Sequence, residues 1–278
     1  MDVVSEFFLM QAVLVMVMLG LNTYMGIHII RRGIIFCDLV LNQLAAFGVI
    51  IGLGLGIRYG TPLSYAIPVA AVLAGCALLA VTRPNDKRVS EEAVIGILYG
   101  IALAASLLLV DKLPEGGTYL GKTLTGSMLW VSWPLVLATI AIYAALAFFH
   151  YIFRGRILKL TDNPGLLRHR RLWDFLFFST LGVITILIVP VAGVLLAYGF
   201  MMIPASIAVL FSRGWKAGLI IGWTTGTTAS LLGIFASYRF DLPYGPTILL
   251  VMAAFFIGAL VIKGIMTQLK TETKGSAS

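Results

Sequence analysis

The chain has 278 residues, of which 60% are hydrophobic and only 12% are charged. A soluble domain is closer to half apolar and a quarter charged, so this composition excludes a chain that faces water on every side. The net charge of +8 does not require a nucleic-acid partner, because membrane proteins collect Lys and Arg in their cytoplasmic loops.

Long apolar runs recur along the whole sequence, each near the length of about 20 residues that crosses a bilayer as a helix. Continuous runs of this kind favour helices over the alternating segments of a membrane barrel. We therefore predict an all-α fold, a polytopic bundle of eight or nine transmembrane helices in a single domain over residues 1–278. The predicted spans are 7–30, 33–57, 62–82, 91–110, 128–153, 172–189, 191–212, 217–237 and 246–267.

Two features of these spans need interpretation. The first run lacks a basic segment before it and is too long for a cleavable signal sequence, so we expect it to be the first span. Pro190 can separate two spans or kink one helix, which leaves eight spans as the alternative to nine.

The basic residues predict an orientation. With the N-terminus outside and nine spans, the cytoplasmic loops hold 16 of the 20 Lys and Arg residues. This bias favours an outside N-terminus and a cytoplasmic C-terminus.

The connecting segments are short and leave no room for a soluble catalytic domain. The three largest are 83–92, a Gly-rich outer loop at 111–127, and an inner segment at 154–174. No GxxxxGK[ST] phosphate-binding loop is present, so ATP would have to be bound by another chain. The metalloprotease and serine-hydrolase motifs are absent too, which argues against an enzyme.

The second predicted span holds the densest polar cluster, which consists of Cys37, Asp38, Asn42 and Gln43. Asp38 and Asn42 are four residues apart and share a helix face. Asp38 either pairs with a nearby Arg at the cytoplasmic end or lines a substrate path. Asn42 and Gln43 either join helices by hydrogen bonds or line the same path. His28, which lies one turn before two arginines, is expected to be structural.

Five patches of the sequence together resemble the permease subunit of the zinc/manganese class of ABC importers. They are GIHIIRRG at 26–33, EEAVIG at 91–96, Tyr119-Leu120 with LTGSML at 124–129, GVLL at 193–196 with IPASIA at 203–208, and DLPYGPTI at 241–248. The resemblance covers about residues 10–265. It implies a multi-pass protein of the bacterial cytoplasmic membrane that works as a homodimer with ABC ATPase subunits and an extracytoplasmic substrate-binding protein.

The resemblance gives the inner segment a role. In the family this stretch contains the coupling helix that docks on the ATPase, which assigns coupling to residues 154–171. The residues that match it here are Leu160, Asp162, Pro164, Gly165 and Arg168. The implied function is a transport subunit that binds no cofactor itself and is driven by ATP hydrolysis in its partner.

The sequence departs from the family at the metal pathway, where the family has an Asp and a His four residues apart on the second helix. Aligned on Gly48, these positions hold Leu39 and Gln43, which would form a neutral path. Aligned on the acid, they hold Asp38 and Asn42, an oxygen set without imidazole. We favour the Gly48 alignment for its spacing and keep Asp38 as the candidate metal ligand. The expected substrate is a divalent metal ion or a metal chelate, and the alternative is a non-metal small solute.

Overall fold

The computed structural model describes residues 3–57, 61–82, 88–113, 121, 126 and 131–275, which form helices and connections without a strand. In chain order the helices are α1 (Val3–Arg32), α2 (Cys37–Gly54), α3 (Pro62–Val81), α4 (Glu91–Val110), α5 (Trp133–Ile152), α6 (Arg154–Asp162), α7 (Arg170–Phe211), α8 (Trp215–Phe240) and α9 (Tyr244–Gly275). A 3-10 turn, Pro164–Leu166, lies between α6 and α7. The predicted all-α class is confirmed.

Most of the predicted outer loop lies outside the described residues, and so does the first half of the turn at 83–92. The patch at residues 119–129 and the predicted start of the fifth span at residue 128 fall in the same part of the chain. Among the described residues, α5 begins at Trp133.

Eight of the helices, all except α6, are long and apolar enough to cross a membrane. Their outward faces carry large apolar side chains, such as Leu108 at 73% exposure and Leu250 at 70%. Apolar side chains of this kind are suited to contact with lipid chains. The backbone N–H and C=O groups of a helix are hydrogen-bonded within the helix, as the interior of a bilayer requires.

The helix α7 reverses direction within its 42 residues. Arg31, at the end of α1, donates from Nη2 to the carbonyl oxygen of Arg213 over 2.7 Å. The neighbouring Arg32 pairs with Asp174. Both ends of α7 therefore lie beside the end of α1, whereas a straight helix of this length would separate them by roughly 60 Å.

The reversal occurs at Gly193, whose φ of 76° and ψ of 163° interrupt the helical geometry. A residue with a Cβ is strained in this region, which explains the glycine. The sequence placed the division at Pro190, three residues earlier. The proline remains inside the first arm of α7.

We call the end of the bundle that holds Arg31, Arg32, Asp174 and Arg213 the basic end. At the opposite end, the indole N–H of Trp133 donates to Glu6 Oε1 over 3.0 Å. Successive helices run between these two ends. Which end faces the cytoplasm stays a prediction from the charge bias.

A buried ion pair joins α1 to α7 at the basic end. The side chains of Arg32 and Asp174 are only 3% and 2% exposed. Arg170 approaches the same carboxylate, with its Nε 3.8 Å from Oδ2. The Arg32 guanidinium also lies over the ring of Phe177, 4.8 Å from its centroid. Breaking such a pair from one side leaves a buried charge without compensation.

We predict that Arg32→Ala lowers the free energy of unfolding by roughly 3–5 kcal/mol, because Asp174 stays buried after its main cation is removed. Thermal unfolding of the purified protein in detergent measures the effect. The Arg32→Ala/Asp174→Ala double variant should recover part of the loss. The exposed pair of Lys112 and Asp111 supplies the control, and Lys112→Ala should leave stability unchanged. Equal stability of Arg32→Ala and the parent would contradict the role given to the pair.

Candidate functional site

The three predicted path residues lie inside the bundle of one protomer. Asp38, Asn42 and Gln43 are 2%, 0% and 3% exposed, respectively. Their helix α2 packs against α3, α4 and α7, which enclose it. In this conformation a path between two permease copies would not reach these side chains without a movement of α2.

Asp38 is a buried carboxylate with no salt bridge to any residue that the structure describes. The alternative that it pairs with a nearby Arg does not hold in this conformation, because Arg32 pairs with Asp174. Asn42 lies close enough to Asp38 to interact with its carboxylate, and Asp38 Oδ2 and both side-chain polar atoms of Asn42 are buried without a hydrogen bond of normal geometry. An isolated carboxylate is costly in such surroundings and is stabilised there by a cation or a proton.

Two more polar side chains lie near Asp38, and the sequence analysis missed both. Tyr143 of α5 is close enough to Asp38 for an electrostatic interaction, and the amide of Asn22 on α1 lies beside the Tyr143 hydroxyl. The Asn22 amide and the Tyr143 hydroxyl interact with each other, are buried, and make no hydrogen bond of normal geometry. In the sequence, only an amide residue within the first apolar span pointed to them.

Gln43 has a different environment from Asp38 and Asn42. Its Nε2 donates to Ser106 Oγ over 2.9 Å, and the Ser106 hydroxyl donates in turn to the carbonyl oxygen of Ala102 over 2.8 Å. This arrangement joins α2 to α4, which is the interhelical hydrogen bonding expected as one alternative. The Gln43 side chain is therefore engaged in packing.

Gly48, on which one alignment was based, is a packing residue. A Cβ at this position would lie 2.6 Å from Pro68 Cα, so only glycine permits this contact between α2 and α3. Gly48 is therefore explained by the close crossing of α2 and α3. Its position does not indicate which polar residues of α2 face a ligand.

The predicted coupling segment begins with a helix that is anchored to the bundle. Of the five residues assigned to coupling, Leu160 is only 1% exposed and points into the bundle, so it anchors α6. Asp162, Gly165 and Arg168 are exposed, and Pro164 is half-buried at the start of the 3-10 turn.

The most exposed apolar side chain of this segment was not singled out from the sequence. Leu166, in the 3-10 turn, is 76% exposed. Basic side chains follow it at Arg168 and Arg171, both exposed. An apolar side chain beside exposed cations, at the basic end of the bundle, presents a surface suited to another protein.

A bundle of membrane-crossing helices with buried polar groups on a central helix and an anchored basic segment at one end defines a multi-pass membrane transport protein. A family model, described as the ABC 3 transport family, matches residues 5–263. The chain belongs to this family, which confirms the resemblance drawn from the sequence.

Known relatives agree with this assignment. A Chlamydia muridarum protein named "Probable metal transport system membrane protein" is 27% identical over 78% of this chain and 75% of its own length. The manganese transport system membrane protein MntC of Halalkalibacterium halodurans is 23% identical over 85% of each chain. The solved structure of PsaBC from Streptococcus pneumoniae in complex with Fab shares the fold, with a TM-score of 0.74 and 23% identity over 92% of this chain and 95% of its own.

We predict that Asp38→Asn raises the thermal stability of the substrate-free protein, because the substitution keeps the shape and removes a buried carboxylate without a cation. Asp174→Asn is the matched control, since this carboxylate has Arg32 and Arg170 as partners and its neutralisation should destabilise. Melting in detergent after treatment with a chelator measures both. Destabilisation by Asp38→Asn as large as by Asp174→Asn would show that Asp38 has a cation partner.

Proposed function

We propose that this chain is the permease subunit of an ABC transporter for a divalent metal ion, and that Asp38 and Asn42 supply ligands to that ion. The observation that carries the proposal is the buried Asp38 carboxylate, which has no cation beside it among the described residues and lies on the same α2 face as the buried Asn42 amide. Relatives named for manganese and for chelated iron transport support the substrate class.

The ligand chemistry favours a hard ion over zinc. Carboxylate and amide oxygens suit Mn²⁺, whereas Zn²⁺ prefers imidazole and thiolate ligands. Gln43, the ligand candidate of the alternative alignment, is already bonded to Ser106. We therefore prefer the alignment on Asp38, in contrast to the preference that the spacing before Gly48 suggested.

Access to this site requires a conformational change. Asp38 is enclosed within one protomer, so the ion can reach it only when α2 or its neighbours move. We propose that a second copy of the chain and ATPase subunits drive this movement, with an extracytoplasmic binding protein delivering the ion. The resemblance to the importer family supports this assembly, and isologous pairing is the common form of such dimers.

Uptake into proteoliposomes tests the assignment. We expect Mn²⁺ uptake by the complete transporter to fall by about tenfold or more in Asp38→Asn, because the site loses its anionic ligand. Gln43→Leu is the matched control, since its amide serves packing on the same helix, and it should keep most of the uptake. Unchanged Mn²⁺ uptake in Asp38→Asn would show that Asp38 is not a ligand of the transported ion.

Docking of the ATPase has its own test. We predict that Leu166→Glu together with Arg168→Glu and Arg171→Glu abolishes copurification of the ATPase, because the exposed surface loses its apolar centre and its charge reverses. Gly165→Pro should weaken docking as well; a Cβ there meets nothing within 4 Å, so the fold tolerates a side chain. Charge reversal at exposed Lys112, which lies beyond the end of α4, is the control. Copurification that survives the triple variant would place the docking surface elsewhere.

A further inference from the structure

The last two residues of α6 are bonded to two other helices. Thr161 Oγ1 lies 2.5 Å from His28 Nδ1 of α1. The Thr161 hydroxyl also donates to the Ile157 carbonyl oxygen over 3.3 Å, and the tautomer of His28 decides which group donates in its contact with Thr161. Next to it, Asp162 accepts from the indole N–H of Trp215, the first residue of α8, over 3.4 Å.

Trp215 contacts two side chains of α1. Its ring centroid is 4.3 Å from that of His28, and the Arg31 guanidinium lies 4.2 Å from the same Trp215 centroid. Arg31 also approaches Asp162, with 3.9 Å between Nη1 and Oδ1. His28 is fully buried, so this contact is part of the interior.

These five residues form a continuous set of contacts between three elements. We call them the α6 joint; its members are His28, Arg31, Thr161, Asp162 and Trp215. The joint ends at Asp162, two residues before the 3-10 turn at Pro164–Leu166, in which Gly165 and Leu166 are exposed. A displacement of that turn acts on Thr161 and Asp162 through the chain on its N-terminal side, while Leu167 and the start of α7 follow on its C-terminal side.

We infer that the α6 joint is the positioning element that transmits movement of the docked ATPase to the ends of α1 and α8. The inference rests on the proposed docking of an ATPase at residues 163–171. Packed side chains and hydrogen bonds carry coupling when they hold two elements in a fixed relation. The Trp215 indole, in contact with the Thr161-bonded His28 imidazole, does so here for α1 and α8 at once.

A labelling experiment measures this transmission without knowledge of the substrate. Both native cysteines, Cys37 and Cys76, are buried, so their background reaction with a maleimide is low. Lys216→Cys places an exposed thiol at the start of α8. The rate of maleimide labelling is compared in the complex with its ATPase, first without nucleotide and then with ATP and vanadate.

Two variants weaken the joint and two matched controls remove the same kinds of contact elsewhere. Thr161→Val removes the hydroxyl bonded to His28, and Ser106→Ala removes the hydroxyl bonded to Gln43 Nε2 at 2.9 Å, between α2 and α4. Trp215→Leu removes the indole beside His28, and Trp133→Leu removes the indole that donates to Glu6 at the opposite end. Thr161→Val changes the volume little and keeps the test valid if Trp215→Leu folds poorly.

We expect the nucleotide-dependent change in labelling rate to shrink by about fivefold in Thr161→Val, the effect of one hydrogen bond on a two-state equilibrium, and further in Trp215→Leu. The ATPase should still copurify, and both controls should keep the full change. The inference is overturned if the joint variants keep the full nucleotide-dependent change in labelling rate, or if the parent complex shows no such change. Either result leaves the proposed docking of the ATPase standing. A parent that retains no ATPase overturns the proposed docking and the inference together.

Discussion

The bilayer offers no hydrogen-bond partners, and this constraint determines where each polar group of the chain lies. The backbone satisfies itself within the helices, and the large apolar side chains turn outward. The few polar side chains in the spans must then find partners in the interior. Gln43, for example, does so with Ser106. The Asp38 carboxylate differs from the others because it is an ionisable group with no cation beside it among the described residues.

Two buried carboxylates show how differently the same group can be used. Asp174 lies at the basic end between Arg32 and Arg170, and its charge holds α1 against α7. Asp38 lies near the start of α2 without a cation among the described residues, and burying its charge costs stability. A residue that is costly to bury and has no structural partner is a candidate for function.

The spans were predictable because hydrophobicity over a helix length is a local property of the sequence. The predicted spans 33–57 and 62–82 contain α2 and α3, with boundaries that differ by a few residues. The predicted division of α7 was displaced, because Pro190 is tolerated within a helix whereas Gly193 has the positive φ. Nothing local distinguishes these two residues, since the difference depends on how the two arms of α7 pack.

The site was predictable in its residue types but not in its partners. The helix position of Asp38 and Asn42 followed from their spacing, whereas the pairing of Arg32 with Asp174 joins residues 142 positions apart. The same holds for Trp215, which the sequence presents as one aromatic residue after a basic loop and which the fold brings against His28. Contacts between residues this far apart in sequence depend on the topology of the fold, so they could not be predicted from the sequence of one protein.

The turn at Gly193 also determines whether the chain after α7 continues from the basic end or from the opposite end of the bundle. With it, α7 starts and finishes at the basic end, and α8 begins beside Arg213. If Gly193 adopted helical angles, the second arm would continue away from the basic end. Residues 212–275 would then be inverted, with the cations at Arg213, Lys216 and Lys263 moved to the opposite side. One backbone dihedral angle thus fixes the sidedness of the last quarter of the chain.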